Sequence, residues 1–361
     1  MVNERWRHTL GLFEKNRDLT QAHREVALVV DAQYFREPVR GFAMRLDQFL
    51  AARLEWRSRS SIQTLVRDGY VWVDLARPEV PEGSGARKRE TRPGARMPHG
   101  TRVWVEIPEV YRQVLEGETK RELDVLYEDR ECLAVDKPAN IAVHPSGRHM
   151  TDTLIQRVHL HFKEDVEAGR MVPRLCHRLD RETSGIVLVA KHPETHPRIA
   201  TQFEDRLVDK EYLALVWGEV EEPDGCIDYS IGPALHSAID LKMCARSDGQ
   251  PCRTDWRVEE RVSGYTLVRC RIHTGRTHQI RVHLAAIGHP VVGDKLYGPD
   301  EQLFVRAIEG TLDAEDRARL ELDRHALHDH RLEFTTPDGG RRVEVVSPLA
   351  PDLAAFLDAR R

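Results

Sequence analysis

Residues 174–191 read Arg-Leu-Cys-His-Arg-Leu-Asp-Arg-Glu-Thr-Ser-Gly-Ile-Val-Leu-Val-Ala-Lys, and they hold the chain's clearest chemistry. One carboxylate, Asp180, lies between Arg178 and Arg181. A carboxylate beside two guanidiniums stays ionised at neutral pH. A Thr-Ser-Gly turn follows, then an apolar run over 186–190 that predicts a buried strand. An ionised carboxylate on a tight turn beside a rigid strand suits a nucleophile or an electrostatic stabiliser rather than an acid. The same charge pattern also describes an ordinary salt-bridged turn, so by itself it leaves the choice open.

The segment His177-Arg-Leu-Asp-Arg-Glu-Thr-Ser-Gly185 resembles the catalytic motif of the RluA-type pseudouridine synthases, in which the aspartate is the indispensable catalytic residue. Further segments are similar to that family. Lys210-Glu-Tyr-Leu-Ala-Leu-Val216 resembles its second motif, and the resemblance puts Tyr212 against the target base. Stacking on a nucleobase is open to any flat ring, but on its own residues Tyr212 reads equally as a half-buried strand aromatic. Thr274-Gly-Arg-Thr-His-Gln-Ile-Arg-Val-His-Leu284 resembles the third motif. It implies that Arg281 pairs with the aspartate and that Ile280 packs beside the base. An arginine can hold a carboxylate bidentately and keep it charged, although Arg276 and Arg281 alone also fit a helix surface. Residues 288–298 continue the match. Arg178 corresponds to the arginine that enters the RNA helix where the base leaves, and a planar cation can fill such a gap.

The resemblance covers residues 121–361 and implies conversion of uridine to pseudouridine in RNA, ribosomal or transfer, without cofactor or metal. Asp180 would attack either the base or the sugar C1′. The N1–C1′ bond breaks, the uracil turns, and C5 rejoins C1′. A base must then take the C5 proton, and no residue stands out for it. Two rivals belong to other classes. A non-catalytic RNA-binding or ribosome-assembly factor would be suggested by loss of Asp180, which is present. An N-glycosidic hydrolase needs a second carboxylate to activate water, and Glu182 is its near neighbour in sequence. The Pro-Cys-x-x-Cys that a fused deaminase needs beside its His-x-Glu is absent from the sequence.

Eighteen histidines invite a metal reading. His273, His278 and His283 are spaced five apart and fall on different faces of a helix; His325, His328 and His330 would need an unusual turn, and there is no His-Glu-x-x-His. Neither Gly-x-Gly-x-x-Gly nor Gly-x-x-x-x-Gly-Lys occurs, so neither a dinucleotide nor ATP is indicated.

The chain's 361 residues allow two or three domains, and its hydrophobic share of 40% fits a globular protein. No apolar run is long enough to span a membrane, and the first residues lack an apolar signal core. Six scattered cysteines without Cys-x-x-Cys predict free thiols in a reducing cytoplasm. A monomer is expected. The net charge of −5 is awkward for an RNA binder, but it is uneven. Residues 44–107 carry 12 Lys and Arg against 8 Asp and Glu, while 299–333 are acidic. A basic front and an acidic back suit a polyanion contacted on one side.

Residues 1–43 predict an extension with little structure of its own. Over 44–107, Leu46, Phe49, Leu50 and Leu54 share a helical face, and Ile62, Leu65 and Val66 repeat it in a second helix ended by Gly69. Strands are predicted over 70–74 and 101–107. This order resembles an S4-like RNA-binding domain, with Arg45, Arg57, Arg59 and Arg67 as the residues for RNA. The Pro-, Gly- and Arg-rich stretch over 77–100 predicts a mobile loop whose Arg87-Lys-Arg89 tip is either a phosphate contact or a solvated charge run. From residue 121 onward strands dominate and helices punctuate. Strands are predicted near 125–127, 132–135, 186–190, 211–216, 265–272 and 342–346, a turn at 144–147, and helices near 152–160, 196–207 and 278–286. The fold class expected is α+β with a mostly antiparallel sheet, preceded by the small S4-like domain.

Overall fold

The computed structural model describes residues 25–35, 37–53, 59–76, 86–106, 123–144, 152–237, 239 and 241–361. Its contacts divide the chain into two units, Met1–Arg121 with His144–Val172, and Glu122–Val143 with Pro173–Arg361. The turn expected at 144–147 lies outside the described residues beyond His144.

In the first unit the elements are β1 (Glu25–Val29), β2 (Ala43–Arg45), α1 (Leu46–Arg53), α2 (Arg59–Arg67), β3 (Val71–Asp74), β4 (Lys88–Arg89), β5 (Arg96–Pro98) and β6 (Arg102–Glu106). The sheet order is β1-β6-β3-β4, with β2 and β5 as a separate pair. Strand alternation puts Val71, Val73, Val103 and Val105 on one face. They pack with Leu46, Phe49 and Leu50 of α1 and with Ile62, Leu65 and Val66 of α2. Asp47 is fully buried and ties the helices, accepting from Arg45 Nε at 3.0 Å and Gln63 Nε2 at 2.9 Å.

Two expectations are corrected here. The extension expected over 1–43 is, in its described part, built into the unit: β1 pairs with β6 along its whole length, and Leu28 and Val30 are fully buried. The mobile loop expected over 77–100 is structured over 86–100. There β4 pairs with β3 and β5 with β2, both too short to show a period in sequence.

Residues His144–Val172 also cluster with this unit, so the second unit is not the continuous 121–361 segment expected. They hold α3 (Leu154–His161) and α4 (Lys163–Glu167), an insertion between strands of the second unit. A capping box opens α3, with the Thr153 N–H donating to Gln156 Oε1 at 3.0 Å.

The second unit contains β7 (Val125–Glu128), β8 (Cys132–Lys137), β9 (Arg174–Leu175), β10 (Ser184–Ala190), α5 (Thr195–Glu204), β11 (Asp209–Trp217), β12 (Asp224–Ile227), β13 (Ile231–Pro233), β14 (Met243–Ala245), β15 (Thr254–Val262), β16 (Tyr265–Ile272), α6 (Gln279–Ala286), α7 (Gln302–Glu309), α8 (Ala314–Leu320), β17 (Leu327–Thr335), β18 (Arg342–Val346) and α9 (Pro351–Asp358). Among the described residues, ten of these strands form one sheet in the order β12-β15-β16-β11-β17-β10-β8-β7, with β18 on β17 and β9 on β10. All its pairings are antiparallel except β10 with β17. The α+β class with a mostly antiparallel sheet is therefore observed.

β10 is buried over all seven residues, as its continuous apolar run predicts. Ile186, Leu188 and Ala190 pack with Ile199 of α5 and with Leu332, Phe334, Val343 and Val345. The six cysteines are free thiols. Among the described residues no helix is long and apolar enough to cross a membrane.

Candidate active site

Asp180 sits on the turn between β9 and β10, and the residues around it are tied down from three directions. The Thr183 N–H donates to the Asp180 carbonyl at 3.2 Å. Lys137, fully buried at the end of β8, donates to the carbonyls of Arg181, Pro138 and Ile141 at 3.0–3.1 Å. The segment entering β17 holds the rest: His325 Nε2 meets Thr183 Oγ1 at 2.7 Å, and His328 Nδ1 meets Ser184 Oγ at 3.0 Å. Glu182 accepts from Lys295 Nζ at 3.0 Å and from the His325 N–H at 3.2 Å.

Gly185 explains the end of the Thr-Ser-Gly turn. It lies opposite Asp329 in the parallel pair with β17, at φ +109°. A Cβ there would come within 2.2 Å of the Asp329 carbonyl oxygen, so only glycine lets these two central strands meet.

The arginines beside Asp180 in sequence are not its partners. Arg181 pairs with Glu182 at 3.2 Å, and Arg178 is exposed, with no ion pair to Asp180. The cation on Asp180 is Arg281 of α6, whose Nη1 donates to Asp180 Oδ2 at 3.0 Å. Burial alone would push the Asp180 carboxyl up. The charge of Arg281, helped by His278 and His325, outweighs it and holds Asp180 below the usual carboxylate range. Its side chain is still 31% exposed, so an ionised carboxylate remains within reach of a ligand.

Arg281 is itself aimed. Its Nε and Nη2 donate to Asp294 Oδ2 and Oδ1 at 2.6 and 2.8 Å. Asp294 is fully buried and also accepts from the Leu296 and Tyr297 N–H groups at 2.9 and 3.0 Å. Against a burial penalty, the Arg281 charge and these bonds keep Asp294 strongly acidic. The guanidinium also lies 5.0 Å from the centre of the Tyr297 ring.

His278 precedes α6 in a left-handed backbone conformation at φ 57°. Its Nε2 is 3.9 Å from Asp180 Oδ2, and its Nδ1 is 2.8 Å from the Tyr297 hydroxyl. That hydroxyl also accepts from the Met243 N–H at 3.0 Å. Burial and the Arg281 charge lower the pKa of His278, so it is neutral at pH 7.

Tyr212 of β11 is 7% exposed and stands opposite Asp329 in register. Burial first, then the charges of Asp329 and Asp180, push its phenol well above the usual tyrosine range. Ile280 is 4% exposed on α6.

In the first unit, Arg45 pairs with Asp47 at 3.0 Å, and Arg67 is exposed at the end of α2. Arg59 opens α2, and Arg57 lies outside the described residues. Arg87 pairs with Glu25 and lies 5.6 Å from the Trp72 ring centre, so that cation is already partnered.

The structure thus brings Asp180, Tyr212 and Arg281 of the expected set near four side chains the motifs did not single out, Asp294, His278, Tyr297 and Asp329, while Ile280 is buried on α6 beside Arg281 in sequence. Asp294 and Tyr297 lie within the matching segment 288–298, the one signal that could have marked them. Among the described residues no three His, Cys, Asp or Glu side chains are grouped to hold a metal ion.

Residues 131–286 match the family model described as RNA pseudouridylate synthase. The chain is 34% identical to the uncharacterised RNA pseudouridine synthase YlyB of Bacillus subtilis, over 88% of its own length and 94% of the relative's. It is 36% identical to the ribosomal large subunit pseudouridine synthase D of Nitrosomonas europaea, over 88% and 85%. Among solved structures it is similar to human RNA pseudouridylate synthase domain containing 1, at 30% identity and a TM-score of 0.52, covering 67% of this chain and 90% of that one. With such identity along nearly the full length of its relatives, the chain belongs to the RluA-type RNA pseudouridine synthase family.

Proposed function

We propose that the protein isomerises uridine to pseudouridine in RNA of the large ribosomal subunit, with Asp180 as the nucleophile. One observation carries the reading: Asp180 is ionised, partly open, and held by a buried arginine that another carboxylate aims. The RNA class rests on relatives named ribosomal large subunit pseudouridine synthase D. Asp180 attacks the base or C1′, the glycosidic bond breaks, and C5 rejoins C1′. Tyr212 and Ile280 meet the extruded base, and Arg178, exposed beside the site, fills the gap it leaves in the RNA. The first unit acts as the S4-like RNA holder through Arg45, Arg57, Arg59 and Arg67. The protein works as a cytoplasmic monomer and needs neither cofactor nor metal.

The carboxylate that the hydrolase reading offers to activate water, Glu182, is bound to Lys295 and His325. Mapping pseudouridines in large-subunit and transfer RNA from a deletion strain and its parent tests the proposal. A missing large-subunit pseudouridine, restored by the wild-type chain but not by Asp180→Asn, supports it. An unchanged map overturns it.

A further inference from the structure

Asp329 is fully buried in the middle of the sheet, and neither carboxylate oxygen has a hydrogen-bond partner of ordinary geometry. An orphaned buried carboxylate is costly, and it calls for a reason. Its surroundings supply one. Across β11 it faces Tyr212 in register, with Lys210 two residues earlier on the same strand. Across β10 it faces Gly185, which has no side chain. Asp136 of β8 contributes a further negative charge, while His328 and His330 on β17 itself turn to the Ser347 carbonyl.

The isomerisation needs a group to take the proton from C5. Tyr212 is placed for the base, but a phenol pushed well above its usual range does not ionise at neutral pH. It can accept a proton only by passing on its own. The other groups at the site are poor receivers: Arg281 is a cation, burial and the Arg281 charge make His278 a weaker base than an ordinary imidazole, and Asp180 is the nucleophile in this reading.

We propose that Asp329 is the terminal proton acceptor of the reaction, acting through Tyr212. Once C5 has bonded to C1′, the Tyr212 oxygen takes the C5 proton while its own proton moves to the Asp329 carboxylate. The C5–H electron pair becomes the C5=C6 double bond. The C6=N1 pair returns to N1, which takes a proton from solvent, and Asp329 later releases one, so the isomerisation balances. This inference rests on the pseudouridine reading above.

Burial pushes the Asp329 carboxyl up to about 8, against the opposing pull of Tyr212 and Lys210. A base tuned near the working pH is well suited to general acid–base chemistry. Below about 8 Asp329 holds a proton and the relay is closed; above it the carboxylate is free to accept.

The test is single-turnover conversion of RNA carrying uridine or 5-deuteriouridine, followed across pH with wild-type protein and Asp329→Asn. In the wild type the rate should rise with pH to a midpoint of about 8. Asp329→Asn should be slower by about 100-fold or more, lose that rise, and acquire a primary isotope effect at C5. A rate within about threefold of wild type, or a slow variant with the pH rise intact and no C5 isotope effect, overturns the proposal. If Asp329→Asn does not fold, Tyr212→Phe is read instead: a C5 isotope effect supports the relay and its absence sinks it. Wild-type protein that forms no pseudouridine at all overturns the functional reading instead.

Discussion

Asp294 grips Arg281 by two hydrogen bonds of 2.6 and 2.8 Å, and this fixes the third nitrogen, Nη1, 3.0 Å from Asp180. The charge of Asp180 is therefore steadied by a carboxylate 114 positions later in the chain that does not touch it. Removing that carboxylate would leave a buried guanidinium with only one anion. Asp294→Ala should destabilise the protein by about 3–5 kcal/mol, measured by denaturant unfolding. It should also lower turnover although Asp180 is intact. Stability within about 1 kcal/mol of wild type would contradict this account of the pair.

Asp180→Asn keeps the shape of the side chain and removes the proposed nucleophile. Pseudouridine formation should be abolished while RNA affinity and the thermal midpoint stay close to wild type. Turnover within about tenfold of wild type would overturn the assignment.

Arg178 is exposed and makes no ion pair with Asp180, which leaves it free for the RNA contact proposed above. Arg178→Ala should slow the reaction on a folded RNA more than on a short unstructured strand containing the same uridine. Extrusion from a stack costs a few kcal/mol, which a side chain filling the vacancy partly offsets. Equal fractional losses on the two substrates would count against it.

Gly185→Ala places a methyl group within 2.2 Å of the Asp329 carbonyl at φ +109°. No flexible side chain is there to yield, so the central strands must separate. We expect a loss of more than about 3 kcal/mol, or insoluble protein. A soluble, active variant would show that β10 and β17 tolerate a wider spacing.

Three buried histidines make the fold sensitive to mild acid. Burial drives His177 and His325 down to about 3 and His328 to about 4, from an ordinary 6.5. The unfolded chain therefore binds more protons, and stability present above pH 6.5 is lost as pH falls toward 4. Asp329, raised to about 8, works in reverse and offsets one of the three. His278 and His283, also lowered by burial, add to the others, so the net slope between about pH 6.5 and 5 should reach two protons or more, ~2.7 kcal/mol per pH unit or steeper. Denaturant unfolding at several pH values measures it, and a flat profile there would refute the burial argument.

Much of the site is legible in sequence because the motifs carry it: Asp180, Tyr212, Ile280 and Arg281 are brought to one unit. What sequence adjacency misleads about is pairing. Arg178 and Arg181 flank Asp180, yet successive side chains on a turn diverge, and the partner comes from α6. Asp329 is hidden for a different reason. Its strand reads Leu-His-Asp-His-Arg-Leu-Glu-Phe-Thr, too polar to be taken for the centre of a sheet, because polar groups there meet other polar groups rather than apolar ones. The stretch over 86–100 misleads through its Arg, Gly and Pro content, which conceals strands of two and three residues.

The place of β17 sets the order in which the molecule can be made. It lies between β10 and β11, so among the described residues the strands leading to β7 and those leading to β12 are joined in the sheet through residues 327–335. On the ribosome, the catalytic turn, the tyrosine strand and the arginine helix are all synthesised before that strand exists. Long-range closure of this kind is slow and comes late in folding. A nascent chain can thus carry every motif of the family and still be inert.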